Sequence, residues 1–388
     1  MSSINVINIK HPSASSNAIT LAADGSAFIN TGVLGSRNRI INGNFDVWQR
    51  GTSATGVFGG TVYVADRWAF ESWSSTAGRV TYDRVSDTPA ITTSSGYSQY
   101  SARITVTTTT ANPSNDFGIF RQFIEGYNVQ DLYQRAFTVS FWVKASLTGT
   151  YLLSIYGGGT AVGQTPGTPS FTQSYTINSA NTWEYKTIAV PACPAGTLAN
   201  WDFVNGRGLD VMWRLWTNNP SPTGSFGAWN TSTYAVPSGS YANLGGTNGA
   251  TWQICQVQLE AGSVATPFER RSYGQELSLC QRYGLRVEQQ QNSGGITGSG
   301  TATTVTRFQF PVTMRAVPTS SLVTAGSWIV GNDYSTNYTA SSASIPTANL
   351  TVNGGRVQFS GFSTFSGNFF VAGTDAVGTA VLFFSAEL

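Results

Sequence analysis

The stretch Phe137-Thr-Val-Ser-Phe-Trp-Val-Lys alternates apolar and other side chains without a slip. Successive side chains leave a strand on opposite sides, so a period of two marks a strand with one face in a core. Phe137, Val139, Phe141 and Val143 then face inward, and Thr138, Ser140, Trp142 and Lys144 outward. Strand-like runs recur at 103–106, 118–123, 151–155, 183–190, 209–216 and 252–259. Turn-forming clusters lie between them: Gly157-Gly158-Gly159, Pro166-Gly167 and Asn218-Asn219-Pro220. Helical periodicity is almost absent. This pattern predicts an all-β chain with a jelly-roll β-sandwich over 37–271, and long loops to account for its length.

Composition narrows the chemistry. Only 10% of the residues are charged, whereas 13% are aromatic. An ordinary soluble domain carries about 25% charged side chains, so Ser, Thr, Asn and Gly must clothe an aromatic core here. Few charges also remove a usual guard against edge pairing, which predicts edges covered by oligomerisation. The formal net charge of +2 excludes a diffuse basic field, and with it nucleic-acid binding. No apolar run approaches the ~20 residues of a membrane helix, so no membrane insertion is expected. The first ten residues, MSSINVINIK, lack the basic and then apolar regions of a secretory leader. Cys193, Cys255 and Cys280 are odd in number and show no CxxC spacing, which argues against a disulfide framework. His11 is the sole histidine, and near pairs of acids such as Asp202 and Asp210 have no motif around them. A glycosidase needs two placed carboxylates and a serine hydrolase a base. No enzyme activity and no catalytic residue are therefore expected.

Three further parts flank the sandwich. Residues 1–36 read as an extended arm, with β-like stretches at 6–9 and 18–21 and a hairpin signal at Asp24-Gly25. Residues 272–290 are the one helical segment. Ser272 can cap it, with Gln275 three residues on, and Leu277, Cys280, Tyr283 and Val287 form a stripe. Such a stripe must be buried, either on a sandwich edge or, as favoured here, against sister helices at a trimer axis. Residues 291–388 return to strand patterns, at 307–310, 356–359, 369–372 and 380–385, and suffice for a C-terminal β domain.

Several motifs carry a resemblance. Arg39-Ile-Ile-Asn-Gly-Asn-Phe-Asp-Val-Trp-Gln-Arg-Gly and Val64-Ala-Asp-Arg-Trp resemble the opening of a jelly-roll domain common in tailed-phage tail and fibre proteins. That domain is similar in fold to family 4/9-type carbohydrate-binding modules. Cys255-Gln-Val-Gln-Leu-Glu-Ala-Gly and the residues after it resemble the end of the same domain, and Leu279-Cys-Gln-Arg-Tyr its following helix. Phe310-Pro-Val-Thr-Met-Arg and the terminal Phe384-Ser-Ala-Glu-Leu match what commonly follows. Gly284 departs from the pattern, standing where the family usually has a second aromatic. The resemblance implies a virion structural fibre of a tailed phage. It would be a homotrimer of sister chains, joined through residues 1–36 to another virion protein and adhering to the host surface. The runners-up are a glycan-binding receptor protein of the tail and a polysaccharide-degrading tailspike.

Candidate sites follow from the same strands and motifs. Trp142 with Lys144, and Arg214 with Trp216, each share one strand face, as in sugar-binding sheets where rings stack and cations hold hydroxyls. The same tryptophans also fit burial in a core or interface. Asp46 and Glu260 are the candidate ligands of a structural Ca²⁺, of the kind related binding modules hold. An Asx turn at Asp46 and an ion pair of Glu260 with Arg270 or Arg271 are the alternatives. No other cofactor is expected, and host polysaccharide is the expected outside partner.

Overall fold

The computed structural model describes residues 8–9, 19–21, 27–29, 37–73, 78–91, 96–111, 116–158, 169–195, 201–218, 224–231, 236–288, 295–296, 303–322, 329–332, 336–339, 342–344, 350–360 and 381–388. In the arm, β1 (Asn8–Ile9), β2 (Ile19–Leu21) and β3 (Ala27–Ile29) pair antiparallel in that order. The strands on either side of Asp24-Gly25 are thus neighbours.

The sandwich begins with β4 (Ser53–Val57), β5 (Gly60–Tyr63), β6 (Ala69–Trp73), β7 (Arg79–Val85), β8 (Ser101–Thr108) and β9 (Phe117–Glu125). It continues with β10 (Phe137–Ala145), β11 (Gly149–Gly157), β12 (Ser170–Ile177) and β13 (Glu184–Val190). It closes with β14 (Arg207–Thr217), β15 (Trp229–Asn230) and β16 (Thr251–Ala261). Six strands form one sheet in the order β13-β10-β16-β8-β7-β4, and seven form the other in the order β15-β12-β11-β14-β9-β6-β5. Every strand pairing within these two sheets is antiparallel. This is an all-β jelly-roll sandwich, and each strand run read from the sequence in 103–259 lies on one of these strands.

The alternation in β10 sets its orientation. Phe137, Val139, Phe141 and Val143 are fully buried. Their rings meet those of the opposite sheet: Phe141 packs edge-on to Trp213 at 5.3 Å. Trp68 stacks on Phe120 at 5.2 Å, with planes 8° apart. The opening motif fastens the chain before β4. Asn42 takes a left-handed backbone, φ 58°, which asparagine tolerates better than most residues. Its side-chain amide donates to Val47 O and Asp66 O and accepts from Val47 N. Trp68 Nε1 donates to Asn42 O, which ties the second half of the motif to the first. Phe45 and Ile40 thereby enter the core.

The helix α1 (Tyr273–Gln281) is shorter than the 272–290 expected. Ser272 does cap it, its hydroxyl accepting from Gln275 N. Beyond Gly284 the chain becomes strand β17 (Gly284–Glu288), paired with Val381–Ser385. Strand pairing with the distant C-terminus overrides the helical pattern there. The glycine has a packing reason, since a Cβ at 284 would lie 2.8 Å from an Arg50 guanidinium nitrogen. The expected trimer stripe is also corrected. Val287 stands on β17, not on the helix. Cys280 and Tyr283 are buried within one chain against Ile41 and Val47, with Leu277, Leu279 and Leu388 beside them.

The C-terminal segment contributes β strands that include Thr303–Gln309, Gly354–Ser360 and Val381–Ser385. The run expected at 369–372 lies outside the described residues. The last residues dock back on the sandwich. Glu387 pairs with Arg50 at 3.0 Å and with the buried Arg67. Ala386 N donates to Tyr283 O.

Candidate functional site

The outward face of the seven-stranded sheet carries a groove of about 400 Å³. Alternation places its side chains. In β9, Phe120 points into the core, so Phe117, Ile119, Arg121 and Phe123 point out. In β14, Leu209, Val211 and Trp213 are core residues, so Asp210, Met212 and Arg214 point out. In β6 the buried Phe70 leaves Glu71 and Trp73 on the outer side. Ile119, Met212 and Tyr156 form an apolar floor with Phe117 beside it. Trp73 is 61% exposed and stands opposite Phe117 in the strand register.

Charge is concentrated on this face. Arg121 bridges two carboxylates, Glu71 and Asp210, the latter at 3.3 Å. Arg121 and Arg207 both lie over the Phe123 ring, at 4.3 and 3.9 Å. Arg214 donates from Nη2 to the Tyr156 hydroxyl at 2.5 Å and from Nε to Ser154 Oγ at 3.3 Å. Ser154 in turn shares a hydrogen bond with Thr172 at 3.0 Å. Burial pushes the Asp210 carboxyl up to about 6, against the pull of Arg121, Arg207 and Arg214. Its Oδ1 is buried with no hydrogen-bond partner. Planar cations and an apolar floor in one groove suit a ligand with many hydroxyls and an apolar face.

The four sugar-contact candidates are divided by the fold. Arg214 lies on this groove. Trp216 does not. A β-bulge between Arg214 and Trp216 breaks the alternation, so the two do not share a face. Trp216 turns into the core beside Phe70, and its Nε1 donates to Asp116 Oδ1 at 3.0 Å. Its ring covers Gly118, where a Cβ would lie 2.2 Å from it.

Trp142 and Lys144 are on the outer face of the other sheet. Trp142 packs on Tyr185 at 5.4 Å, and its Nε1 has no hydrogen-bond partner. Lys144 pairs with Asp87, and its ammonium sits 5.8 Å from the centre of the Trp183 ring. Trp183 Nε1 donates to Asp87 Oδ1 at 3.1 Å. Burial works to raise the Asp87 carboxyl, but the bonds from Lys144 and Trp183 hold it below its ordinary value.

Asp46 and Glu260 do not form one site. Asp46 lines a cleft of about 10 Å³ together with Arg270 and Arg271, and Glu260 is not among its walls. The Asp46 carboxylate accepts from Asn44 Nδ2 at 3.1 and 3.0 Å. Burial raises its pKa, with Asn44 and Arg270 opposing. Glu260 accepts from Thr266 N and Oγ1 and from Gln258, and its ion-pair partner is Arg37 at 3.3 Å, not Arg270 or Arg271. Calcium takes six to eight oxygens, and these carboxylates are engaged by donors instead. Among the described residues, no three His, Cys, Asp or Glu side chains gather as a metal site.

Glu71, Arg121, Tyr156 and Arg207 escaped the reading of the sequence, and Asp210 entered it only as an acid with no motif around it. The available signal was a charged residue at the outward phase of a strand that is otherwise apolar, as at Arg121 and Asp210.

No family model matches the chain, and no curated protein matches it. Among solved structures, the chain is similar to a CBM4 protein at 14% identity and a TM-score of 0.28, covering 57% of this chain and 98% of that one. It is similar to TmCBM61, solved with β-1,4-galactotriose, at 11% identity and a TM-score of 0.28, covering 58% and 100%. It is also similar to a family 11 carbohydrate-binding module from Clostridium thermocellum, solved with a β-1,3-1,4-mixed-linked tetrasaccharide. That match has 12% identity and a TM-score of 0.27, covering 56% and 99%.

Proposed function

We propose that this chain is a saccharide-binding structural protein, a virion fibre of a tailed phage whose jelly roll grips host surface polysaccharide. The groove on the seven-stranded sheet carries the binding half of this reading. An apolar floor takes the C–H face of a sugar ring, while Arg121, Arg207 and Arg214 present hydrogen-bonding groups around it. The role is binding without catalysis, because the carboxylates lining the groove are engaged, Glu71 by Arg121 and Asp116 by Trp216 Nε1 and the Thr110 hydroxyl. The motifs at 39–51, 64–68 and 255–283 support the fibre half. Residues 1–36 would join another virion protein, and sister chains would form a trimer. Three weak sites on one fibre then act together, raising avidity by orders of magnitude.

Affinity electrophoresis against host surface polysaccharides tests the binding. Retardation by at least one, weakened by Trp73→Ala without loss of fold, is expected. No retardation by any polysaccharide refutes it. Light scattering on the purified chain and antibody labelling of virions test the assembly. A monomeric chain that is absent from the particle would refute the fibre reading.

A further inference from the structure

We infer that the groove is built for an acidic saccharide, with a sugar carboxylate held by Arg214 and Arg207; this rests on the saccharide-binding reading above. Arg214 is only 9% exposed, yet its hydrogen-bond partners are two neutral hydroxyls, on Ser154 and Tyr156. Arg207 lies on the Phe123 ring. Among the described residues, neither has a carboxylate within 4.0 Å. A buried cation without a counter-ion is unfavourable, and a ligand anion relieves it.

The carboxylates nearby are already engaged. Glu71 and Asp210 share Arg121. Asp116, at the groove's end, accepts from Trp216 Nε1 and from the Thr110 hydroxyl. The charged walls of the groove are Arg121, Arg207 and Arg214 against Glu71 and Asp116. The whole chain carries only +2, so this is a local feature and not a diffuse attraction. The cations are arginines, whose planar forks match carboxylate geometry in a bidentate way that lysine does not.

A second observation favours a sugar acid over a simple anion. The groove that holds Arg207 and Arg214 is also walled by Phe117, Ile119 and Met212. A hydroxylated acid offers a carboxylate to the guanidinium groups and the apolar face of its ring to that wall.

The test is titration of the full chain with polygalacturonate, alginate and polysialic acid, each beside its carboxyl-reduced neutral form, with dextran sulfate as a polyanion control. At least one carboxylated polymer should bind, and its reduced form should bind about tenfold more weakly, the worth of one charge-assisted hydrogen bond. Arg214→Gln should weaken the acidic ligand by a similar factor at an unchanged unfolding temperature. Arg207→Gln, at a less buried position, gives the same readout if Arg214→Gln fails to fold. Equal binding of a polymer and its reduced form overturns the inference, as does dextran sulfate binding that ignores both substitutions. If neutral host polysaccharides bind and no carboxylated polymer does, the acidic specificity falls and saccharide binding stands. If nothing binds, both fall.

Discussion

Removing the Glu387 carboxylate should unfold this protein far more readily than its place next to the C-terminus suggests. The Arg67 side chain is 1% exposed, and Glu387 is its ion-pair partner at 7% exposure. What remains without Glu387 is one bond from Arg67 Nη2 to Phe123 O at 2.5 Å and the Tyr283 ring 3.6 Å from Cζ. Neither neutralises a cation. Breaking a buried pair from one side costs about 3–5 kcal/mol, because the remaining charge has lost its partner. Glu387 also pairs with Arg50 at 3.0 Å, but Arg50 keeps Asp66 at 3.4 Å and the Phe383 ring, so little is added there. For a sandwich of this size, ~3–5 kcal/mol lowers the unfolding temperature by roughly 6–20 °C. Urea unfolding of Glu387→Ala, followed through the buried tryptophans, reads the free energy directly. The double variant Arg67→Met with Glu387→Met should recover most of the loss, since an apolar pair of similar shape replaces a buried ion pair at small cost. A Glu387→Ala midpoint within ~1 kcal/mol of the parent would refute the reasoning, because the pair would then be solvated and the C-terminus not docked.

The Asp210 carboxyl, at about 6, makes acidic-ligand binding depend on pH. It faces Arg121, Arg207, Arg214 and Glu71; below pH 6 it loses its charge, so a sugar acid should bind roughly three- to tenfold more tightly at pH 5 than at pH 7. Asp210→Asn should flatten that dependence in a calorimetric titration. The same group favours the folded state most below the ordinary carboxylate range, a contribution lost as pH rises through 6. Cys193, Cys255 and Cys280 are buried thiols, and burial pushes Cys255 and Cys280 upward. A thiol reagent should therefore find no reactive cysteine in the native chain and all three after denaturation. Gly118→Ala would place a methyl 2.2 Å from the Trp216 ring. It should cost about 1–3 kcal/mol or more by calorimetry, and a neutral result would show that the ring moves freely.

Strand alternation was legible wherever one face is core and the other is not, as at Phe137–Ala145. It misleads at a bulge. Arg214 and Trp216 sit two residues apart and read as partners on one face, but the bulge between them sends the indole inward. Nothing local in Arg214-Leu-Trp216 announces that step; it is set by pairing with β9, more than ninety residues earlier in the chain. The helix stripe failed for a related reason. Cys280 and Tyr283 do form an apolar contact, but Ile41 and Val47 from the opening motif already cover it. A period in sequence shows that a face is buried and is silent about what buries it. The groove was hidden because its residues come from four strands, and only the sheet order brings Glu71, Arg121, Tyr156 and Arg214 together.

The scarcity of charge takes on a specific meaning once the ion pairs are placed. Many of the charges fasten parts of the chain to one another instead of dressing the surface. Arg282 reaches from the end of α1 to Glu125 on β9 at 2.5 Å. Arg271, before the helix, pairs with Glu276 at 3.2 Å and holds Ile40 O at 3.1 Å. Arg50 and Arg67 hold Glu387. Each joint connects segments far apart in sequence through a group that donates in several directions from one plane. Lysine, with a point charge on a flexible stem, would make a poorer fastener, which accounts for a basic complement made almost wholly of arginine. Against that background, a buried arginine joined to no carboxylate is an exception. Arg214 is tied to no charged group: its two hydroxyl partners lie on the neighbouring strand β11. In a chain that otherwise uses its buried guanidinium groups as clamps, that exception marks the place where an outside anion completes the structure.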